Sequence, residues 1–124
     1  MKASELRIGN LVNEEVLGNC VITQITSNSV WVRVNNIKTD GSIGFREFHL
    51  YIENIQPIPL TEEWLEKCIL QFKELGHNDL SVSRGLSSGD FHFVCGNYYI
   101  KIDFLHELQN LYLIFTNKEL TIIS

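Results

Sequence analysis

The chain has 124 residues, with ten Lys and Arg against fifteen Asp and Glu and a net charge of −5. That length is one domain's worth of core. No two basic residues are adjacent, which disfavours nucleic acid as a partner, since duplex binders cluster cations to release phosphate counterions.

Fourteen Ile and eight Val stand against a single Ala, Ala3. Branched side chains suit a pleated surface and crowd a helix, so sheet is expected to dominate. No apolar run reaches the roughly 18 residues that cross a bilayer, and the stretch from Met1 to Glu5 lacks a signal peptide's apolar segment. A cytoplasmic protein with no membrane contact is expected. Cys20, Cys68 and Cys95 are odd in number and share no CxxC spacing. They read as buried, free, structural thiols, with neither a disulfide framework nor a zinc site.

In chain order, residues 1–59 read as short strands. Gly9 to Val12 opens the first, Glu14 to Asn19 turns, and Cys20 to Thr26 alternates with Val21, Thr23 and Ile25 on one face. After the turn at Ser27 to Ser29, Val30 to Val34 alternates strictly, sending three valines to one side and Trp31 with Arg33 to the other. Asn35 to Gly44 reads as a polar loop centred on Asp40 and Gly41, Phe45 to Phe48 as a strand, and His49 to Asn54 as a turn. Two prolines restrict Ile55 to Pro59 to an edge strand or an exit segment. Five strands with a helical-type turn before the last are the element order of an SH3-like small barrel.

Residues 60–124 read as an α+β part of the same compact domain. Thr61 can cap a helix with Glu62 and Glu63 in its first turn. Leu65, Cys68, Ile69, Phe72 and Leu75 form one stripe, and Gly76 supplies the left-handed stop. Gly96 and Asn97 form a type II′ hairpin turn that pairs Cys95 with Tyr98, Phe93 with Ile100 and Phe91 with Ile102, an entirely apolar face. Leu80 to Arg84 adds a third strand through the loop at Gly85 to Gly89. Asp103 is expected to cap a second helix that buries Leu105, Leu108, Leu111, Tyr112 and Phe115 and exposes His106, Gln109 and Asn110. Asn117 ends that helix, and Leu120 to Ile123 is a closing strand. The fold class expected is therefore α+β: an N-terminal SH3-like barrel, a helix, an antiparallel meander and a second helix.

Three phrases carry a resemblance: MKASELRIGNLV from Met1, IQPIPLTEEW from Ile55, and the segment from Leu105 to Leu120 around HELQNLY. Together they resemble a family of small uncharacterised proteins encoded in Bacteroidetes genomes and their phages or prophages. The resemblance implies ancestry and a mobile-element context. It implies no activity and no functional residue.

For catalysis, a nucleophile or metal cluster must meet its partners on a rigid frame. His92 and Cys95 are the nearest pair, but a spacing of three on a strand sends them to opposite faces. His49, His77, His92 and His106 have no metal-ligand spacing. Asp90 and Asp103 fall opposite each other at the open end of the hairpin, a place for a cation or for paired carboxylates, although capping by Asp103 explains it more cheaply.

The reading favoured is a non-catalytic protein-binding module with no cofactor and no metal. Its contacts are Trp31, Arg33 and Tyr51, with packing of Trp31 under the Thr61 helix as the equal alternative for that ring, and its partner is an unidentified host or phage protein. The alternative is a small hydrolytic or metal-dependent enzyme with its site on the 90–103 hairpin, around His92, Tyr99, Lys101 and Asp103. A third possibility is an acidic surface that mimics nucleic acid, for which −5 is modest.

Overall fold

The computed structural model describes residues 1–37, 43–85 and 89–123. These divide into two compact units, Met1–Ile58 and Pro59–Ser124, and the architecture is α+β with antiparallel sheets. Among the described residues no helix is long and apolar enough to cross a membrane.

In the first unit, β1 (Leu11–Glu14), β2 (Gly18–Ile25), β3 (Ser29–Ile37), β4 (Ile43–Tyr51) and β5 (Ile55–Gln56) make one sheet in the order β4-β3-β2-β1-β5. The turn from β1 to β2 is tied by the Glu14 carboxylate, which accepts from the N–H groups of Val16 and Leu17 at 2.9 and 2.6 Å. Period-2 alternation then builds the core. Val12, Cys20, Ile22, Val30, Val32, Ile52 and Ile55 cluster with Leu6, flanked by Val34, Phe48 and Leu50. Val30 and Val32 are completely buried while Arg33 is exposed, as the strict alternation requires.

Several expectations change here. The buried side chains of β2 are Cys20 and Ile22, with a bulge between Ile22 and Gln24 that re-aims the strand. β3 runs on to Ile37 and β4 starts at Ile43, so both ends of the stretch from Asn35 to Gly44 belong to strands rather than to a loop. The Asp40-Gly41 turn lies outside the described residues. His49 and Tyr51 belong to β4 rather than to a turn, because the ladder with β3 continues to the pair Ser29–Tyr51. A 3₁₀ turn at Ile52–Asn54 does precede β5, which is an edge strand as the prolines demand. β4 and β5 share no ladder among the described residues, so the sheet is open and forms no closed barrel.

The second unit contains α1 (Glu62–Lys67), β6 (Cys68–Ile69), β7 (Leu80–Arg84), β8 (Phe91–Cys95), β9 (Tyr98–Ile102), α2 (Leu105–Thr116) and β10 (Thr121–Ile122). Thr61 caps α1 as expected, its hydroxyl accepting from Trp64 N–H at 3.2 Å. The helix does not continue to Leu75. It stops at Lys67, because Cys68 and Ile69 pair with Ile122 and Thr121 of β10, and Ile123 N–H donates to the Lys67 carbonyl at 2.7 Å. Long-range pairing here overrides a helical stripe. Gly76 still ends a helical turn: at φ 83 it lets His77 N–H reach the Phe72 carbonyl and its own N–H reach that of Lys73, a Schellman arrangement.

The hairpin has the expected register, with Phe93 opposite Ile100, Gly96 at φ 58 in the turn, and β7 on the far side of β8. The centre of the Gly85–Gly89 loop lies outside the described residues. The apolar hairpin face is buried only at its open end. Phe91, Phe93 and Ile102 are covered, whereas Tyr98 is 75 % exposed.

Asp103 is not the cap of α2. Phe104 occupies that position, and the Glu107 carboxylate reaches back to the N–H groups of Asp103 and Phe104 at 3.0 and 2.9 Å. Asn117, at φ 59, ends the helix as predicted. His106 and Gln109 are buried, against expectation. His106 stacks on Phe104 at 5.9 Å. The aromatic interior consists of Phe72 edge-on to Phe93 at 5.6 Å, Phe72 against Tyr112 at 5.3 Å and Phe93 stacked on Phe115 at 5.3 Å.

Candidate functional site

The outer face of the β3–β4 hairpin gathers the three residues singled out in the sequence. The ladder sets Trp31 opposite His49, Arg33 opposite Glu47 and Ser29 opposite Tyr51. Because the valines of β3 and Phe48 with Leu50 of β4 turn inward, Trp31, Arg33, Phe45, Glu47, His49 and Tyr51 share the other face.

The rings there are held in place. Trp31 and His49 stack at 4.9 Å and 12°, and Tyr51 leans on His49 at 6.4 Å. Arg33 lies over the Phe45 ring at 5.2 Å from its centroid. His49 Nε2 meets the Ser29 hydroxyl at 2.8 Å, and Ser29 is fixed in turn by the Thr26 hydroxyl at 2.5 Å. The Thr23 hydroxyl donates to the Trp31 carbonyl at 3.2 Å, anchoring the backbone beneath the indole. Trp31 is half-buried, while Phe45 and Tyr51 are 61 % and 58 % exposed. Sequence reasoning passed over Phe45 and His49. The available signal was the odd-numbered series Phe45, Glu47, His49, Tyr51, which alternates through the stretch read as strand and then turn.

The second unit carries the alternative site. His92 meets Tyr99 edge-on at 6.2 Å. Lys101 Nζ lies 3.6 Å from Asp103 Oδ1 and 3.9 Å from Asp90 Oδ2, all three side chains about half exposed. The two carboxylates therefore flank the chain's own ammonium, and the opposed pair at the hairpin's open end is bridged from within. His92 and Cys95 fall on opposite faces of β8. Among the described residues no group of three or more His, Cys, Asp or Glu is placed to hold a metal ion.

The thiols are unpaired, and Cys95 is only half-buried rather than buried. Burial, with Glu14 nearby adding to it, pushes the Cys20 thiol up to about 11. Burial alone pushes that of Cys68 up to about 11. Neither is a thiolate at neutral pH, which removes the nucleophilic form. Comparison with family models, with curated proteins and with solved structures finds no match.

Proposed function

We propose that the protein is a non-catalytic protein-binding module of phage or prophage origin, which docks a host or phage protein on the outer face of β3 and β4. The observation that carries this reading is the pinned stack of Trp31 and His49, bordered by Tyr51 and by Arg33 over Phe45. Rigid aromatics and Arg dominate binding energetics because they offer large contact area at little entropic cost. These rings also stand outside the aliphatic cluster that folds the unit, which leaves them available to a partner.

The finer reading of the first unit is an SH3-like barrel. The four-strand meander β1 to β4, the 3₁₀ turn before the last strand and the return of β5 to pair with β1 support it. The phage context rests on the three sequence phrases. The hydrolytic alternative on the 90–103 hairpin is less favoured, because Lys101 already stands between the carboxylates that would receive a cation.

The test is affinity capture with the intact chain from a Bacteroidetes host lysate, before and after phage induction, followed by mass spectrometry. The expected result is a protein retained by the parent chain and lost with Trp31→Ala and with Arg33→Ala, but retained by Lys101→Ala. Retention by both first-unit variants would remove this face from the proposal.

A further inference from the structure

The two edges of the first sheet are built differently. β5 is two residues long and runs into Pro57 and Pro59, which blunt it against further pairing. β4, on the other edge, spans Ile43–Tyr51 without a proline and pairs only with β3 among the described residues. Ile52 N–H donates to the Asn28 carbonyl at 3.0 Å, one step beyond the pairs Val30–Leu50, Val32–Phe48 and Val34–Arg46. Ladder bonds alternate, so the even-numbered residues of β4 bond to β3. Phe45, Glu47, His49 and Tyr51 therefore turn their N–H and C=O groups to the open edge.

The geometry points to a second copy of this chain as the occupant of that edge, paired antiparallel through β4 about a two-fold axis at Phe48. In this register Glu47 meets His49 of the other copy and Phe45 meets Tyr51. These are the residues with edge-facing backbone, so each pair exchanges two hydrogen bonds. The side chains agree with the backbone. The two strongly exposed aromatics of β4, Phe45 and Tyr51 at 61 % and 58 %, cover each other. The acid at Glu47 meets an imidazole whose other nitrogen is already held by Ser29. The competing register centred on Glu47 sets two carboxylates face to face, which is destabilising. Charge thus selects the axis at Phe48. The backbone bonds of this interface lie at the edge of β4, but the side chains of Phe45, His49 and Tyr51 also belong to the outer docking face, so self-association is measured on the chain alone, with no other protein present.

The test is sedimentation velocity on the full chain from about 10 µM to about 1 mM, with amide exchange followed at both ends of the range. The expected result is a dimer that grows with concentration. Exchange at Phe45, Glu47, His49 and Tyr51 slows with it, while Arg46, Phe48 and Leu50 are protected throughout. Glu47→Pro removes an edge-facing N–H and no bond to β3, and is expected to give a folded monomer. Glu47→Lys keeps every backbone group and is expected to weaken association about tenfold or more. A monomer across the whole range overturns the proposal. So does a dimer whose four edge amides exchange independently of concentration, or one that Glu47→Lys leaves unchanged. If Glu47→Pro fails to fold, the exchange pattern and Glu47→Lys decide the matter.

Discussion

The two units fill their interiors differently, although the first packs Phe48 against its core and the second exposes Tyr98 and Tyr99. The first fills its interior with Val, Ile, Leu and Cys20 and keeps Trp31, Phe45, His49 and Tyr51 on the outer face of its sheet. The second builds its interior from Phe72, Phe93, Tyr112 and Phe115. Charge divides in the same sense: residues 1–58 carry five Lys and Arg against six Asp and Glu, residues 59–124 five against nine. A ring in a core is explained by folding. A ring held by stacking and hydrogen bonds on a nearly neutral sheet face is not, and its contact area is available to something else.

The sharpest way to break this contrast is to remove one ring from the second unit. Phe93 is completely buried between Phe72 and Phe115, so Phe93→Ala should cost about 3–5 kcal/mol in denaturant unfolding. A cost near 1 kcal/mol would mean that this interior is loosely filled. Alkaline titration ranks next. Burial raises Cys20 and Cys68 to about 11 from 9.0. A group whose folded pKa is raised contributes its stability below the unfolded value and loses it as pH rises through the folded value. Stability should therefore be flat up to about pH 8 and fall between about pH 9 and 11, by roughly 2–3 kcal/mol per thiol. Cys20→Ala should remove its share of that slope, and so should Cys68→Ala, which places one buried thiol in each unit.

Legibility differed between the units for a physical reason. The strict alternation of Val30 to Val34 has one solution, since a one-residue slip would bury Arg33, and the structure obeys it. The Gly96 hairpin was readable on the same grounds, because its turn and its cross-strand pairs agree. The stripe from Leu65 to Leu75 had two solutions. Cys68 and Phe72 are buried in a continuous helix and equally in the observed helix, strand and turn, and the deciding partner, Thr121–Ile122, lies some fifty residues away in sequence. His106 and Gln109 read as wet because polar residues are mostly exposed, whereas burial follows from the neighbours α2 meets. At the candidate site, Trp31, Arg33 and Tyr51 were visible as residue types, but Phe45 and His49 emerge only once the β3–β4 register is known.

Trp31→Ala then sharpens the comparison from the other side. The indole is half-buried and its contact is the His49 ring, so truncation should cost about 1–2 kcal/mol, well below Phe93→Ala. A loss as large as that at Phe93 would place Trp31 among the groups that hold the unit together. The contrast between the units would then vanish.

The smallest effects separate two neighbouring acids in the second unit. Glu107 accepts from the N–H groups of Asp103 and Phe104, bonds that the start of α2 otherwise lacks. Glu107→Ala should accordingly cost about 1 kcal/mol. Asp103, which the sequence assigns to the cap, instead makes a 3.6 Å pair with Lys101 in which both side chains are more than half exposed. Screening and side-chain entropy leave such pairs with little net value, so Asp103→Ala should stay within about 0.5 kcal/mol. Measuring both variants in low salt and in about 1 M salt adds a second reading, because the Debye length then falls to ~3 Å and the exposed Asp103–Lys101 attraction is weakened while the Glu107 bonds keep their geometry. The reverse order, with Asp103 the costly residue, would return the cap to Asp103 and move the start of α2 back to Phe104.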